Sequence, residues 1–249
     1  MDKDNLMSGF YDSTIANQSG SVLWTRQDPV VIAIDIGHSK HDSGATSASG
    51  KSEFKFNQQL ATELCMDLKK NRFLLPFLIN PREDLYKKDN LNSRVKIANT
   101  ENADLFISIH HDSVQKVYLK ERKTDGQTNY YSDKFSGFSI IYSKNNAQAA
   151  KSKKFAEILG DELIKNGLKP SLHHAEDIPG ERRDLVDAAR GIYNIDFLVV
   201  KETKMPAILL EAGIIVNPEE ESNLENPGFR QRIIRSINKA ISIFLAEKE

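Results

Sequence analysis

The chain has 249 residues, 39% of them apolar, which is enough for one sizeable globular domain. Its 34 basic and 35 acidic residues nearly cancel, and no block of one charge sign is long enough for a nucleic-acid-binding or membrane-binding arm. The charge balance therefore predicts no nucleic-acid partner. No stretch of about 18 apolar residues occurs, so we expect no membrane span.

The amino-terminal part of the chain differs in character from the rest. Residues 1–28 are polar and aperiodic, and we predict a loose extension there, followed by one domain at 29–249. The amino terminus also lacks the basic-then-apolar pattern of a signal peptide. Cys65 is the only cysteine, so the chain cannot form an internal disulfide. These features leave the cellular compartment undecided.

Apolar runs and helical stripes alternate through the first half of the chain. A continuous β-branched run at 30–36 predicts a strand buried on both faces, as in a parallel sheet covered by helices. A helical stripe at 53–71 places Glu53 on the same face as Phe56 and Leu60. The further elements expected in this half are a strand at 73–79, a helix at 92–102 and a strand at 104–109. This alternation predicts an α/β domain with a largely parallel sheet.

The second half mixes regular elements with two long polar segments. We interpret 113–135 as an exposed excursion near the site, and we expect 172–193 to border the cleft. The regular elements expected here are a strand at 136–142, helices at 146–166 and 181–190, strands at 197–200 and 207–210, and a final helix at 228–246. Both polar segments are candidates to shape a substrate groove.

Two histidines lie where predicted buried strands end, His38 after 30–36 and His110 after 104–109. The carboxyl ends of parallel strands gather ligand sites at one edge of the sheet. Zinc enzymes commonly use three ligands drawn from His and carboxylate and leave a fourth position for water. Together with Glu53, whose helical face packs on the sheet, the two histidines would make such a set. The alternatives stay open, since a strand-end histidine is more often a structural residue and a first-turn glutamate is favoured by the helix dipole.

Glu211 follows the wholly apolar run 207–210, where an unpaired carboxylate would be costly to desolvate. We therefore expect Glu211 at a cleft or beside a cation, where it can accept a proton from a water attacking an amide. The alternative is an ion pair with Arg94 or Arg190.

Four segments carry a resemblance to a known family: VVIAIDIGHSKHDSGA, KSEFKFNQQLA, SRVKIANTENADLFISIHHDS and KMPAILLEAGIIVNPEEE. In order and spacing they resemble the motifs of the zinc-dependent N-acetylmuramoyl-L-alanine amidases of the Amidase_3 type. The resemblance implies a single α/β domain with a twisted, mostly parallel sheet of about six strands and helices on both faces. It also implies Zn²⁺ bound by His38, Glu53 and His110, with Glu211 as the catalytic glutamate.

The resemblance also implies a reaction, cleavage of the amide between N-acetylmuramic acid and the L-alanine of the stem peptide, with peptidoglycan as the partner. The alternatives are a related zinc peptidase acting on other peptides and a non-catalytic cell-wall-binding module. Because the substrate lies outside the cytoplasm, we expect a periplasmic or secreted protein whose export signal has been removed, with a phage-type lytic enzyme as the alternative. We expect a monomer, and a regulatory protein partner stays open.

Several polar residues near these motifs need separate predictions. His111 stands where the family often has a small residue, and we predict that its side chain points away from the preceding histidine. The candidates for substrate contact are His111, Arg94 and Arg190. We expect His173 and His174 to be loop residues rather than ligands.

Overall fold

The computed structural model describes residues 29–80, 91–124 and 126–247, so the predicted extension at 1–28 lies outside the described residues. The strands are β1 (Val30–Ile36), β2 (Leu74–Ile79), β3 (Leu105–Asp112), β4 (Lys120–Thr124), β5 (Gln127–Tyr131), β6 (Ser139–Tyr142), β7 (Asp184–Asp187), β8 (Ile192–Asn194) and β9 (Ala207–Ile214). The helices are α1 (Glu53–Leu68), α2 (Leu91–Thr100), α3 (Ala149–Lys165), α4 (Leu198–Lys201), α5 (Pro218–Glu225) and α6 (Pro227–Ala246).

Seven strands form one sheet in the order β2-β1-β3-β9-β6-β8-β7. The first four in this order are parallel neighbours, β6 joins β9 antiparallel, β8 is parallel to β6, and β7 is antiparallel to β8. The prediction of a single α/β domain with a mostly parallel sheet is confirmed, with one strand more than the resemblance implied. Because β1, β3 and β9 are parallel and adjacent, residues at their carboxyl ends meet at one edge of the sheet.

Apolar side chains cover both faces of the sheet, as the β-branched run of β1 predicts. On one face Ile32 and Ile34 pack with buried residues of α1, α3 and α6. On the other face Ala33 and Phe106 pack with buried residues of α2 and α4. Helices on both faces are the usual cover for parallel strands. The carboxyl edge of the sheet is therefore supported from both sides.

The longest described helix, α6, is amphipathic. It buries Ile233, Ile237, Ile241 and Phe244 in the core beside α1 and α3 and presents polar residues on its outer side. Among the residues that the structure describes, no helix is both long enough and apolar enough to cross a membrane.

Two short elements differ from their predictions. Part of the expected helix 181–190 is β7, which extends the sheet by pairing antiparallel with β8. The expected strand 197–200 is instead α4, whose Val199 and Val200 are buried against the sheet and α2. Short segments of four residues are compatible with either structure, so tertiary packing decides between them.

The segment 113–135 is largely exposed, as expected, but it is not irregular throughout. It carries an antiparallel hairpin of β4 and β5. Gly126 in the turn has a φ of 79°, a left-handed conformation that glycine adopts without steric cost.

This segment is bonded to the second polar segment, 172–193. The Tyr118 hydroxyl donates to the carboxylate of Glu176 at 2.7 Å. The side-chain amide of Gln115 donates to the carbonyl oxygen of His173 at 2.6 Å. The two polar segments therefore form one connected structure beside the carboxyl edge of the sheet.

Candidate active site

Four predicted site residues come together at the carboxyl edge of the parallel strands. His38 lies two residues beyond β1, while His110 in β3 and Glu211 in β9 are paired directly in register. The rings of His38 and His110 are 4.9 Å apart between centroids. Glu53, the first residue of α1, approaches both rings from the helix that covers this end of the sheet.

The carboxylate of Glu53 bridges the two histidines. Its Oε2 lies 3.1 Å from Nε2 of His38, and its Oε1 lies 3.0 Å from Nδ1 of His110. The backbone N–H of Ala45 donates to Oε2 at 2.9 Å, and the Asn57 amide donates to Oε1 at 3.1 Å. Burial alone would raise the pKa of Glu53, but hydrogen bonds with the two histidines lower it well below its usual range. Glu53 is therefore an anion with a fixed orientation.

His38, Glu53 and His110 have a donor set and a spacing that fit a metal ion. One ligand atom from each residue lies within 4.8 Å of the others. Gly44 and Gly37 leave room for the side chains of Glu53 and His110. A Cβ at Gly44 would lie 2.3 Å from Oε2 of Glu53, and a Cβ at Gly37 would lie 2.3 Å from Nε2 of His110. Two imidazole nitrogens and one carboxylate oxygen are a ligand set that zinc enzymes use. The residues present therefore fit zinc.

A buried arginine holds the backbone that carries His38. His38 has a φ of 62°, uncommon for a residue with a side chain. Its carbonyl oxygen accepts hydrogen bonds from Nη2 of Arg94 at 2.5 Å and from the Asn80 amide at 2.8 Å. Nη1 of Arg94 pairs with Asp35 at 2.7 Å. Because Arg94 is only 1% exposed, its predicted roles in substrate contact or in pairing with Glu211 are corrected: it positions the turn after β1.

Replacing Arg94 with Met is expected to destabilise the fold. The variant leaves the buried Asp35 carboxylate without its cationic partner, a change that typically costs about 3–5 kcal/mol. Denaturant unfolding should therefore show a large fall in the free energy of unfolding, whereas Arg235→Met, at an exposed position of α6, should not. Unchanged stability together with a raised KM would instead support a substrate contact for Arg94.

His111 supports Glu53 from inside the core. It is 1% exposed, and its ring packs beside Phe56 at 5.7 Å between centroids. Burial lowers the pKa of His111 to about 3, so the ring is neutral. Its Nδ1 lies 2.7 Å from the side-chain oxygen of Asn57, to which it donates, while the amide of Asn57 donates to Glu53. The predicted substrate contact of His111 is therefore corrected, because the side chain is enclosed in the core.

Asn57 was not among the predicted site residues. It is fully buried and lies four residues after Glu53, on the same face of α1. That spacing is the sequence signal by which it could have been found. A second amide hydrogen bond, from Asn57 to the carbonyl oxygen of Gly37 at 3.1 Å, links α1 to the end of β1.

Replacing Asn57 with Ala is expected to weaken metal binding without removing any ligand. Loss of a residue that orients a ligand typically lowers metal affinity by about 10–100-fold. Competition with a chelating indicator should detect this change, and Gln58→Ala, at the next position of the same helix, should leave the affinity unaltered. Equal affinities for the two variants would contradict a supporting role for Asn57.

Glu211 is buried beside this cluster. It is 9% exposed, and its Oε2 has no hydrogen-bond partner among the described residues. Burial, followed by the nearby charges of Asp112 and Glu53, raises the pKa of Glu211 well above its usual range. A carboxyl group with a raised pKa is suited to accept and donate a proton near neutral pH.

Arg190 is placed differently from its prediction. Its guanidinium pairs with Asp161 of α3 and with Asp187 of β7, each at 2.7 Å. Two carboxylates already balance its charge. The predicted pairing of Arg190 with Glu211 is therefore corrected, and its contacts do not favour the predicted substrate contact.

Three convergent side chains that can bind a metal ion at the carboxyl edge of an α/β sheet, with a buried carboxyl group beside them, are typical of metal-dependent hydrolases. Residues 32–242 match the Amidase_3 family model, described as N-acetylmuramoyl-L-alanine amidase. Because this match covers most of the sequence, the chain belongs to the Amidase_3 family.

Individual relatives agree with this assignment. The chain is 28% identical over 215 residues to the N-acetylmuramoyl-L-alanine amidase LytC of Bacillus subtilis, covering 85% of this chain but 35% of LytC. It is 26% identical over 222 residues to the amidase AmiA of Escherichia coli, covering 85% of this chain and 74% of AmiA. The chain therefore spans only about a third of LytC, the first of these relatives.

Solved structures show the same architecture. The catalytic domain of CwlV, an N-acetylmuramoyl-L-alanine amidase from Bacillus (Paenibacillus) polymyxa var. colistinus, is 29% identical with a TM-score of 0.66, covering 87% of this chain and 98% of that one. An N-acetylmuramoyl-L-alanine amidase from Clostridium difficile 630 is 22% identical with a TM-score of 0.68, covering 89% of this chain and 100% of that one. The second likeness supports the fold alone.

Proposed function

We propose that this protein is a zinc-dependent N-acetylmuramoyl-L-alanine amidase that hydrolyses peptidoglycan between N-acetylmuramic acid and the L-alanine of the stem peptide. The observation that carries the proposal is the buried carboxyl group of Glu211, whose Oε2 has no hydrogen-bond partner among the described residues, beside the cluster of His38, Glu53 and His110. Family membership supports the choice of bond.

Each residue of the site has a separate task in the proposed reaction. When bound by His38, Glu53 and His110, zinc supplies a Lewis acid that activates water at neutral pH. Glu211 accepts the proton of the attacking water and donates it to the leaving nitrogen of L-alanine. Asn57 keeps the Glu53 carboxylate in its orientation throughout.

We propose that residues 29–249 make up the catalytic domain and that the protein acts outside the cytoplasm, as a periplasmic or secreted enzyme. The family match at 32–242 lies within this domain. The proposed substrate supports the location, because peptidoglycan lies outside the cytoplasmic membrane.

The proposal is tested by analysing the products of purified peptidoglycan. The zinc-loaded protein should release stem peptides with new L-alanine amino termini and leave the glycan strands intact, and chelation should stop the release. Cleavage only within the stem peptide would identify a peptidase instead. Binding to peptidoglycan without hydrolysis, in protein that retains zinc, would identify a non-catalytic module.

A further inference from the structure

A second cluster of metal-ligating side chains lies beside the first. Asp112 is the last residue of β3, and His173 and His174 lie in the polar segment 172–193. Nε2 of His173 and Nε2 of His174 lie 3.0 and 2.8 Å from the same carboxylate oxygen, Oδ2 of Asp112. The three ligand atoms lie within 4.8 Å of one another.

These close approaches do not satisfy the polar atoms involved. Oδ2 of Asp112 and Nε2 of each histidine are buried, and none of the three has a hydrogen-bond partner among the described residues. His173 itself is only 1% exposed. Buried polar atoms without partners are costly, and a shared cation would satisfy all three together.

A simple ion pair explains this geometry less well. The two imidazole rings lie 4.0 Å apart between centroids, so charging both rings would place two cations in contact. A neutral ring protonated at Nε2 could donate to Oδ2 of Asp112, but neither ring is aligned with that oxygen as a good hydrogen bond requires. A cation shared by the three atoms would satisfy all of them without either arrangement.

The surrounding residues orient the ligands as metal sites require. Nδ1 of His173 lies 3.0 Å from Oγ of the buried Ser171, which can accept a hydrogen bond from Nδ1–H and so leave the lone pair of Nε2 for an ion. The backbone N–H of Ser113 donates to Oδ1 of Asp112 at 2.8 Å and leaves Oδ2 for the cluster. The backbone N–H of Arg183 donates to the carbonyl oxygen of His174 at 2.7 Å.

The second cluster lies at the wall of a cleft. Asp112, His173 and His174 line a cleft of about 360 Å³ that also includes Gln115 and Arg183. The cleft leaves room for further ligands beside the three side chains. The charges of Asp112 and Glu53 both contribute to the raised pKa of Glu211, so Glu211 lies near both clusters.

We propose that Asp112, His173 and His174 form a second site for a divalent transition-metal cation of the zinc class. Two imidazoles and one carboxylate match the ligands that such ions prefer. This proposal departs from the expectation that His173 and His174 are loop residues rather than ligands. The proposal does not depend on the reaction assigned to Glu211.

The number of bound ions tests this proposal directly. Purified full-length protein is loaded with Zn²⁺ by dialysis at micromolar concentration, passed over a chelating column and analysed for zinc per chain by mass spectrometry. The unaltered protein should retain two equivalents, and His174→Ala and Asp112→Asn should each retain one. His38→Ala should also retain one, and the double variant His38→Ala/His174→Ala should retain none. His41→Ala, which removes an exposed histidine, should retain two.

Cobalt substitution separates the two sites without any activity measurement. The visible absorption spectrum of the Co²⁺-loaded protein should contain bands from both sites. His174→Ala should lose the bands of one site, and His38→Ala should lose those of the other. One zinc per chain in the unaltered protein, with His174→Ala unchanged, would overturn the proposal. Two zinc ions that both remain in His174→Ala and Asp112→Asn would also overturn it, because the second ion would then lie elsewhere. Circular dichroism confirms that each variant is folded.

Discussion

The Glu211→Gln variant is expected to lose about 10²–10⁴-fold in kcat for peptidoglycan hydrolysis, the usual loss when a general acid–base group is removed. Gln has nearly the shape of Glu but cannot accept the proton of an attacking water. Glu211 is not one of the proposed ligands of the His38 cluster, so zinc content should be unchanged. A selective loss of kcat with intact metal identifies proton transfer as the step affected.

The same variant is expected to be at least as stable as the unaltered protein. Burial and two nearby carboxylates raise the pKa of Glu211, so ionising it in the folded state is unfavourable. In the metal-free protein the carboxyl group of Glu211 should therefore lower stability as pH rises from its unfolded pKa towards its raised folded pKa. Gln cannot ionise, so the variant lacks this pH-dependent loss of stability. Functional groups in unfavourable environments commonly lower stability in this way.

Glu202→Gln is a suitable control, because Glu202 is exposed in the described structure and lies outside the site. It should leave kcat, zinc content and melting temperature unaltered. Full hydrolytic activity in Glu211→Gln would remove Glu211 from the mechanism. A parallel loss of zinc would show that its role is in metal binding instead.

The His110→Ala variant is expected to lose both zinc and activity. His110 supplies one of three proposed ligands, and its Nδ1 also contacts the carboxylate of Glu53. Its removal should lower metal affinity by more than the about 10–100-fold typical of supporting residues. Zinc analysis after passage over a chelating column, together with hydrolysis assays, measures both effects.

His41→Ala is the matched control for His110→Ala, since it removes an exposed imidazole that belongs to neither cluster. Added zinc should restore part of the activity of His110→Ala if the remaining ligands still bind the ion weakly. Normal zinc content and normal hydrolysis in His110→Ala would exclude His110 as a ligand.

The repeating patterns of the chain predicted most of the fold. The β-branched run of β1 covers seven residues and the helix α1 covers sixteen, so each pattern is long enough for local pattern and tertiary packing to agree. β7 and α4 are four-residue segments, and their structures depend on neighbours that lie far away in sequence. The hairpin of β4 and β5 is similarly hidden in a polar segment without an apolar alternation.

The sequence predicted the proposed metal ligands better than the roles of the residues around them. His38, Glu53 and His110 stand at the ends of elements, where pattern marks a functional position, and the structure brings their ligand atoms together. Arg94 and His111 are charged or polar residues that pattern places near the site, but burial gives them structural contacts instead. These contacts join residues that are far apart in sequence, so local sequence patterns do not predict them.

The connection between the two polar segments limits how either one can be exchanged with the corresponding segment of a relative. Tyr118 and Gln115 in 113–135 bond to Glu176 and His173 in the other segment, and the ring of Phe135 lies 5.8 Å from that of His173. A chimaera that takes only one segment from a relative would break these contacts and expose their buried partners. The two polar segments should therefore be transplanted or redesigned together.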